Sequence, residues 1–292
     1  MRGKTRLIPT LGGLVALLVL AGTSGAAARV GVGKMTVTPT RVSAGSTGND
    51  LTFVFTADSS ALSGQTLVDI PRGWTPPQQS NPGGAGYVEV QPSDCLSSTR
   101  ITGIVGRRIA IATRCARRHT YRLLYHRATA PQLSADGYVF LTQTRPASTS
   151  KKVHFRPLGQ HKQPVVRVRG AGAAGLFMTV TSIATAGVPF GATVRAIDPY
   201  GNNAADYAGT VTLSSTDPAA SLAAPYAYGP ADAAQHTFTG LVLRTPGTQR
   251  ITATDSNGFS IQSGPITVSP FSSLYWASAF SGSAGISAQR RS

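Results

Sequence analysis

Acidic side chains are scarce in this sequence, and their scarcity argues against several kinds of enzyme. The 292 residues include 11 Asp and Glu against 27 Lys and Arg, which gives a formal net charge of +16. The few carboxylates form no recognisable acid–base pair. His119 and His126 lie among arginines, where positive neighbours disfavour a general base. No G-x-S-x-G nucleophile motif follows residue 28. We therefore expect no catalytic residues and no enzyme.

Cysteine is also rare, and Cys95 and Cys115 are the only two. Two cysteines without neighbouring ligands do not have the spacing of a metal site, so we expect no metal and no cofactor. In an exported β-protein such a pair would be oxidised. We predict a Cys95–Cys115 disulfide that ties the strand near Tyr87 to an arginine-rich hairpin. A metal pair or reactive thiols are the alternative.

Charged residues as a class make up only 13% of the chain, whereas Gly and Pro number 32 and 19. A low charge content together with frequent Thr, Ser, Val and Gly is typical of an extracellular β-protein rather than a helical cytosolic enzyme. The length is sufficient for two domains of ordinary size.

The long apolar run of the chain is centred on residues 11–21, near the N-terminus. Arg2, Lys4 and Arg6 precede it, and Ala26-Ala27-Ala28 fits the small-residue rule for cleavage. The run is short for a membrane span of about 20 residues. We predict a signal peptide over residues 1–28, a secreted or surface-associated mature protein, and no transmembrane span after cleavage. An uncleaved membrane anchor is the alternative.

Apolar and other residues alternate clearly over residues 188–197, with the period of two that a half-buried strand requires. Asp, Pro, Gly and Asn then break the pattern at 198–202, and similar breaks recur at 217–218 and 255–258. Short strands interrupted this regularly indicate a sandwich or barrel. We therefore predict an all-β fold with a β-sandwich domain over residues 176–270.

Several motifs of this region occur in a fixed order. They are Ala-Gly-x-Pro-Phe from Ala186 to Phe190, Ala-x-Asp-x-Tyr-Gly-Asn from Ala196 to Asn202, Tyr-x-Gly-Thr-Val from Tyr207 to Val211, Ser-Ser-x-Asp-Pro from Ser214 to Pro218, His236-Thr-Phe238, and Ile-Thr-Ala-Thr-Asp from Ile251 to Asp255. Together they resemble the bacterial immunoglobulin-like modules that are repeated in secreted and surface proteins. The resemblance implies a non-catalytic spacer or interaction module.

The same alternation runs through residues 34–168, as in Leu51, Phe53 and Phe55. We predict a second immunoglobulin-like β-sandwich over residues 29–169, in tandem with the first. Four motifs resemble an N-terminal β domain that precedes such modules in secreted bacterial proteins. They are Val37-Thr-Pro39, Ala44-Gly-Ser-Thr-Gly48, Ile70-Pro-Arg-Gly-Trp74 and Gly84-Ala-Gly-Tyr87. Trp74 is interpreted as a packed aromatic, with a sugar-binding platform as the alternative.

Residues 170–175 match the dinucleotide motif G-x-G-x-x-G, but a β-patterned segment follows them where a helix would be required. We predict a flexible Gly/Ala linker there and a disordered tail over residues 271–292. Asp198, Asn202 and Asp206 could line a Ca²⁺ site, although their spacing matches no known loop and turn formation accounts for each.

Basic residues are concentrated between Arg100 and Arg169, where Asp136 is the only acid. On alternating strands the outward arginines near the predicted disulfide would form one basic face. We interpret this face either as solvated surface or as a site for a polyanion such as wall polymer, acidic polysaccharide, lipid headgroups or nucleic acid. The candidate residues are Arg107, Arg108, Arg114, Arg117, Arg118, Arg122 and Arg127.

The sequence therefore predicts a non-catalytic, secreted or surface-associated interaction or structural protein. Its expected partner is an extracellular or envelope protein or an anionic polymer, and no small-molecule substrate is expected. The alternative is an electrostatic binder of anionic polymers that acts through the basic first domain.

Overall fold

The computed structural model of the protein describes residues 30–148 and 153–271, which consist almost entirely of strands and loops. The helical segments in these ranges are two single 3-10 turns, Gln160–Lys162 and Pro230–Asp232. Among the described residues no helix has the length and apolar character that a membrane crossing requires. The predicted signal peptide and nearly all of the predicted tail lie outside the described residues.

The described part of the first domain has twelve strands. They are β1 (Lys34–Thr38), β2 (Arg41–Ser43), β3 (Asn49–Thr56), β4 (Leu62–Asp69), β5 (Tyr87–Gln91), β6 (Arg100–Val105), β7 (Arg108–Cys115), β8 (Thr120–Ala128), β9 (Ala135–Val139), β10 (Thr142–Pro146), β11 (Arg156–Pro157) and β12 (Val165–Arg169). Sheet A has the order β1-β3-β8-β5, sheet B the order β11-β10-β4-β7-β6, and sheet C the order β2-β12-β9.

Sheets A and B contribute one continuous apolar core. On β3, Leu51, Phe53 and Phe55 are buried and alternate with partly exposed residues, which confirms the predicted period of two. On β8, Tyr121 and Tyr125 are fully buried in the same core, where burial raises the pKa of both phenols. Each sheet therefore presents a single apolar face, and the two faces close on one another.

Trp74 belongs to this core rather than to the surface. Its side chain is 2% exposed, and its ring lies 5.3 Å from that of Phe140 and 6.3 Å from that of Tyr138, measured between centroids. A buried indole cannot stack against a sugar in solution. The alternative interpretation of Trp74 as a sugar-binding platform is therefore wrong.

The described part of the second domain has ten strands. They are β13 (Gly175–Val180), β14 (Ile183–Thr185), β15 (Phe190–Ile197), β16 (Thr210–Ser215), β17 (Tyr226–Ala227), β18 (Gln235–Leu241), β19 (Gly247–Gln249), β20 (Ile251–Asp255), β21 (Ser260–Gln262) and β22 (Ile266–Ser269). They form sheets with the orders β13-β15-β18, β14-β22-β19 and β17-β16-β20-β21.

The second domain encloses its own apolar core. Ala192, Val194 and Ala196 are buried along β15 and alternate with partly exposed residues, as predicted. Val188 is the first apolar residue of the alternation over residues 188–197, but it is 42% exposed because β15 begins only at Phe190. The described residues are therefore all-β and form two β-sandwich domains in tandem.

The two domains share one plan at their N-terminal edges. In each, the first strand is interrupted, and the short strand after the break pairs in parallel with the domain's last strand, β2 with β12 and β14 with β22. A turn then leads into the third strand, with Gly45 and Gly187 both in the left-handed region at φ 64° and 81°. Glycine suits these turns because it adopts positive φ without a steric penalty.

Candidate functional site

The predicted disulfide is present between Cys95 and Cys115. Cys95 lies in the loop between β5 and β6, and Cys115 is the last residue of β7. Both side chains are buried. The bridge therefore joins the strand that starts at Tyr87 to the arginine-rich region of β7 and β8, as the sequence predicted.

Three of the seven candidate arginines are held by contacts within the first domain. Arg107 donates from Nε to the Ile70 carbonyl over 2.9 Å and from Nη2 to the carbonyls of both Pro71 and Trp74. Arg108 forms a bidentate ion pair with Asp69, at 2.7 and 3.0 Å. Arg127 donates to the Gly83 carbonyl. These side chains organise loops and strand ends.

The other four candidates are exposed, and their guanidinium groups have no partner among the residues that the structure describes. They surround the turn between β7 and β8, where the chain crosses from sheet B to sheet A. We call this group the distal basic tip. It consists of Arg114, Arg117, Arg118 and Arg122.

The seven arginines do not share a face, so the predicted single basic face is wrong in its geometry. Arg107, Arg108 and Arg127 lie near one end of strands β7 and β8, which belong to different sheets, and the distal basic tip lies near the other end. Arg108 and Arg114 are six residues apart on β7, and Arg122 and Arg127 are five apart on β8. At about 3.3 Å per residue the two groups are therefore separated by about 17–20 Å along the strands. Alternation does not reveal this division, because it specifies the side of a sheet and not the position along a strand.

Residues 170–175, the segment predicted as a flexible linker, are hydrogen-bonded to the second domain through both the amide and the carbonyl of Ala171. The Ala171 amide donates to Oδ2 of Asp198 over 2.9 Å, and its carbonyl accepts from the Ala205 amide over 3.1 Å. A strand, β13, begins at the last residue of this segment, Gly175, where a dinucleotide site would need a helix. The linker is therefore fixed to the loop between β15 and β16 of the second domain.

That same loop also contacts the first domain. Asn202 donates from Nδ2 to the Gln132 carbonyl over 2.7 Å and accepts at Oδ1 from the Ser134 amide over 2.9 Å. The ring of Tyr200 packs so closely against Gly45 that a side chain at that glycine would collide with it. The two sandwiches are thus joined by side-chain bonds in addition to the covalent chain.

Asp198 holds Asn202 in position for these bonds. Its carboxylate accepts from the amides of Ala171, Tyr200 and Asn202 and from the Asn202 side chain, all at 2.8–2.9 Å. Burial alone would raise the pKa of Asp198, but these four donors outweigh it and lower the pKa. A carboxylate surrounded by N–H donors is not arranged as a Ca²⁺ ligand. Asp198 and Asn202 therefore serve the turn and the domain contact, a second role that sequence reasoning missed.

Comparison with known proteins gives structural matches only. No protein-family model matches the sequence, and no curated protein matches it. Among solved structures, the adhesin InvE of Yersinia pseudotuberculosis is 11% identical, with 81% of this chain and 58% of InvE covered and a TM-score of 0.28. InvD of the same organism is 13% identical, with 82% and 58% covered and a TM-score of 0.40.

The Escherichia coli adhesin FdeC is 12% identical, with 82% of this chain and 65% of FdeC covered and a TM-score of 0.27. This chain spans 58% of the length of the InvE and InvD chains. At identities below 25% and TM-scores below 0.5, these likenesses do not indicate what the chain binds. The identification of two β-sandwiches rests on the strands and sheets of the chain itself.

Proposed function

We propose that this chain is a non-catalytic, secreted or surface-associated interaction protein that holds two immunoglobulin-like sandwiches in a fixed relative orientation. The observation that carries the proposal is the double hydrogen bond of Asn202 to Gln132 and Ser134. A flexible tether would need no such bonds, whereas a rigid spacer or binding module needs its domains held together. The resemblance of the second domain to bacterial surface modules supports the same role.

Asn202→Ala tests the fixed orientation. The substitution removes both bonds to the first domain and leaves the amide of Ser134 and the carbonyl of Gln132 without their partner. We expect the two domains to move independently in the variant, so that small-angle X-ray scattering gives a larger radius of gyration and a broader distance distribution than the wild type.

Asn203→Ala is the matched control, because the neighbouring Asn203 bonds only within the second domain, to Arg195 and to the Ala233 carbonyl. Its scattering curve should coincide with that of the wild type. A wild-type curve that already requires many domain orientations, or an Asn202→Ala curve identical to it, would overturn the rigid-module proposal.

The distal basic tip supports a second candidate function, the electrostatic binding of anionic polymers. Its four guanidinium groups are exposed, permanently charged and without ion-pair partners in the described part of the chain. Each phosphate neutralised by such a group releases a condensed counterion, so binding would weaken steeply with salt.

An Arg117→Ser/Arg118→Asn variant tests this candidate. Asn suits position 118, where the backbone has φ 70°. For labelled single-stranded dT12 the plot of log affinity against log salt has a negative slope. The magnitude of this slope should decrease by about 1.4, or about 0.7 per lost contact. Arg72→Ser/Arg169→Ser removes the same charge from two exposed positions away from the tip and should leave the slope nearly unchanged. Equal slopes for both variants would reject the tip as a binding site.

Arg107 must be left intact in this experiment, although the sequence placed it with the other candidates. Its guanidinium donates to three backbone carbonyls, so Arg107→Ser is expected to lower stability by about 2 kcal/mol. A loss of binding in that variant would report unfolding and not recognition.

A further inference from the structure

A cleft of about 520 Å³ opens between the two domains. The outer face of sheet C forms its first-domain wall, and the loops around Asn203–Tyr207 and Gly229–Ala234 form the opposite wall. A smaller hollow of about 250 Å³ continues along sheet C past Thr40 and Val165. The volume is within the range of sites that hold small molecules or short polymer segments.

Three arginines lie side by side on the sheet C wall. Arg41 and Arg167 are register partners on the parallel strands β2 and β12, so their backbones are about 4.8 Å apart. Arg169 follows Arg167 by two residues, which places it on the same face about 6.6 Å along the strand. All three side chains are exposed, and their guanidinium groups have no hydrogen-bond or ion-pair partner among the described residues.

This arrangement concentrates positive charge at one place on the wall. Guanidinium groups remain charged at any physiological pH, and like charges at this spacing repel one another. The alternating pattern of β12 does not require arginine at its exposed positions, since Val166 and Val168 already supply the buried face of the strand. Planar guanidinium groups bind carboxylates and other oxyanions through paired hydrogen bonds, so the wall is suited to an anionic ligand.

The cleft also contains two carboxylates, which restrict the ligand further. Asp136 lies on β9 beside Arg167 and lines both hollows, and Asp206 lines the second-domain wall. Both are exposed, and neither forms an ion pair in the residues described. Carboxylates repel a densely charged phosphate polymer, but they accept hydrogen bonds from hydroxyl groups. The site therefore combines groups for sparse negative charge with groups for hydroxyls.

The second-domain wall has an unusual backbone as well. Asp206, Ala233 and Ala234 all adopt positive φ, at 56°, 48° and 61°, and all three line the cleft. Residues with a β-carbon rarely adopt this conformation, and where they do they are concentrated at ligand-binding and functional sites.

We propose that the interdomain cleft binds a segment of an acidic polysaccharide, in which carboxylate-bearing sugars meet Arg41, Arg167 and Arg169 while sugar hydroxyls donate to Asp136 and Asp206. The proposal rests on the interaction role given above and names a ligand class for it. The site is distinct from the distal basic tip, because it lies at the junction of the domains.

The test uses the full chain and fluorescently labelled tetragalacturonate, a four-residue carboxylate sugar, in an anisotropy titration. An Arg167→Ser/Arg169→Ser variant should bind at least tenfold more weakly than the wild type. The charge-matched Arg72→Ser/Arg100→Ser variant should bind within about twofold of the wild type. Since both pairs are exposed, the melting temperatures should remain close, which separates lost binding from lost folding.

Asp136→Ala distinguishes a sugar site from a general anion site. If Asp136 accepts hydroxyl hydrogens, the variant binds tetragalacturonate several-fold more weakly. If the cleft attracts anions only by charge, removing a carboxylate strengthens the binding of tetragalacturonate and of dT12 alike, and the proposal fails.

Two further results would overturn the proposal. One is no binding of tetragalacturonate by the wild type at 1 mM probe, and the other is an equal loss in the two double-arginine variants. Failure here leaves the rigid-module proposal intact, because the scattering of Asn202→Ala tests that proposal without any ligand.

Discussion

Cys95→Ala/Cys115→Ala is expected to lower the free energy of unfolding of the first domain by about 3 kcal/mol. The bridge closes a loop with a sequence separation of 20 residues, and a cross-link of that length removes about this much conformational freedom from the unfolded chain. Alanine keeps the two buried positions apolar, so that the loss comes mainly from the missing covalent link.

The position of the bridge makes this loss local. Cys95 lies in the long loop between β5 of sheet A and β6 of sheet B, and Cys115 ends β7, an interior strand of sheet B. Without the link, the loop is held near β7 mainly by backbone bonds such as that from the Leu96 amide to the Arg114 carbonyl. The ordering of Arg114 and of the turn that carries Arg117 and Arg118 therefore depends on the disulfide.

Denaturant unfolding followed by the fluorescence of Trp74 measures the effect in separated residues 29–169, because Trp74 is the only tryptophan in that range. Reductant should bring the wild type toward the stability of the variant and leave the variant unchanged. A wild type that loses less than about 1 kcal/mol in reductant would contradict the prediction, since it would show that the native fold constrains the loop without the bridge.

The strands could be predicted well because their information is local. Phe53, Phe55, Ala192 and Val194 are buried as alternation requires, since a sandwich buries one face of each strand. Residues 138–144 contain no Gly or Pro to mark a break, yet this segment divides between β9 and β10, which belong to different sheets. The division depends on which neighbours each half finds, and a pattern of apolar residues does not contain that information.

The parallel pairing of β2 with β12 and of β14 with β22 could have been suspected from a short internal repeat. Met-Thr-Val-Thr occurs at residues 35–38 and at 178–181, and Ala-Gly follows at 44–45 and 186–187. Comparing the two halves of the chain would have aligned their first strands and indicated that both domains have one plan.

The sites were harder to predict because they depend on distance in space. Arg107 and Arg117 look alike in the sequence, but one is bound to backbone carbonyls and the other is exposed without a side-chain partner in the described residues. Arg41 and Arg167 are more than 100 positions apart, and only the parallel register of β2 and β12 brings them together. Reading along the chain could not assemble that group.

Asp217→Ala is expected to destabilise the second domain by about 3 kcal/mol. The carboxylate is 3% exposed and accepts four hydrogen bonds, from the amides of Ala219, Arg244 and Thr245 and from the Thr245 hydroxyl, at 2.6–3.0 Å. It thereby joins the loop after β16 to the loop after β18. Alanine leaves these buried donors without an acceptor, and each such group is costly. Calorimetry of residues 170–292 measures the loss, and faster exchange of the Arg244 and Thr245 amides localises it.

The effect of Asp217 should also depend on pH. Burial alone would raise the pKa of this carboxyl, but the bonds from Thr245, Arg244 and Ala219 outweigh it and hold the pKa at about 2, against an ordinary 3.8. A carboxyl with a lowered pKa stabilises the fold fully above its ordinary pKa and loses that contribution as the pH falls through the folded value. The difference in free energy of unfolding between wild type and Asp217→Ala should be constant above about pH 5 and shrink toward pH 2.

Asp206→Asn is the control, at an exposed position where Asn tolerates the left-handed backbone. Its free energy of unfolding should stay within about 0.5 kcal/mol of the wild type at every pH. A difference for Asp217→Ala that does not change between pH 5 and pH 2 would mean that the carboxylate charge is not what the four donors stabilise.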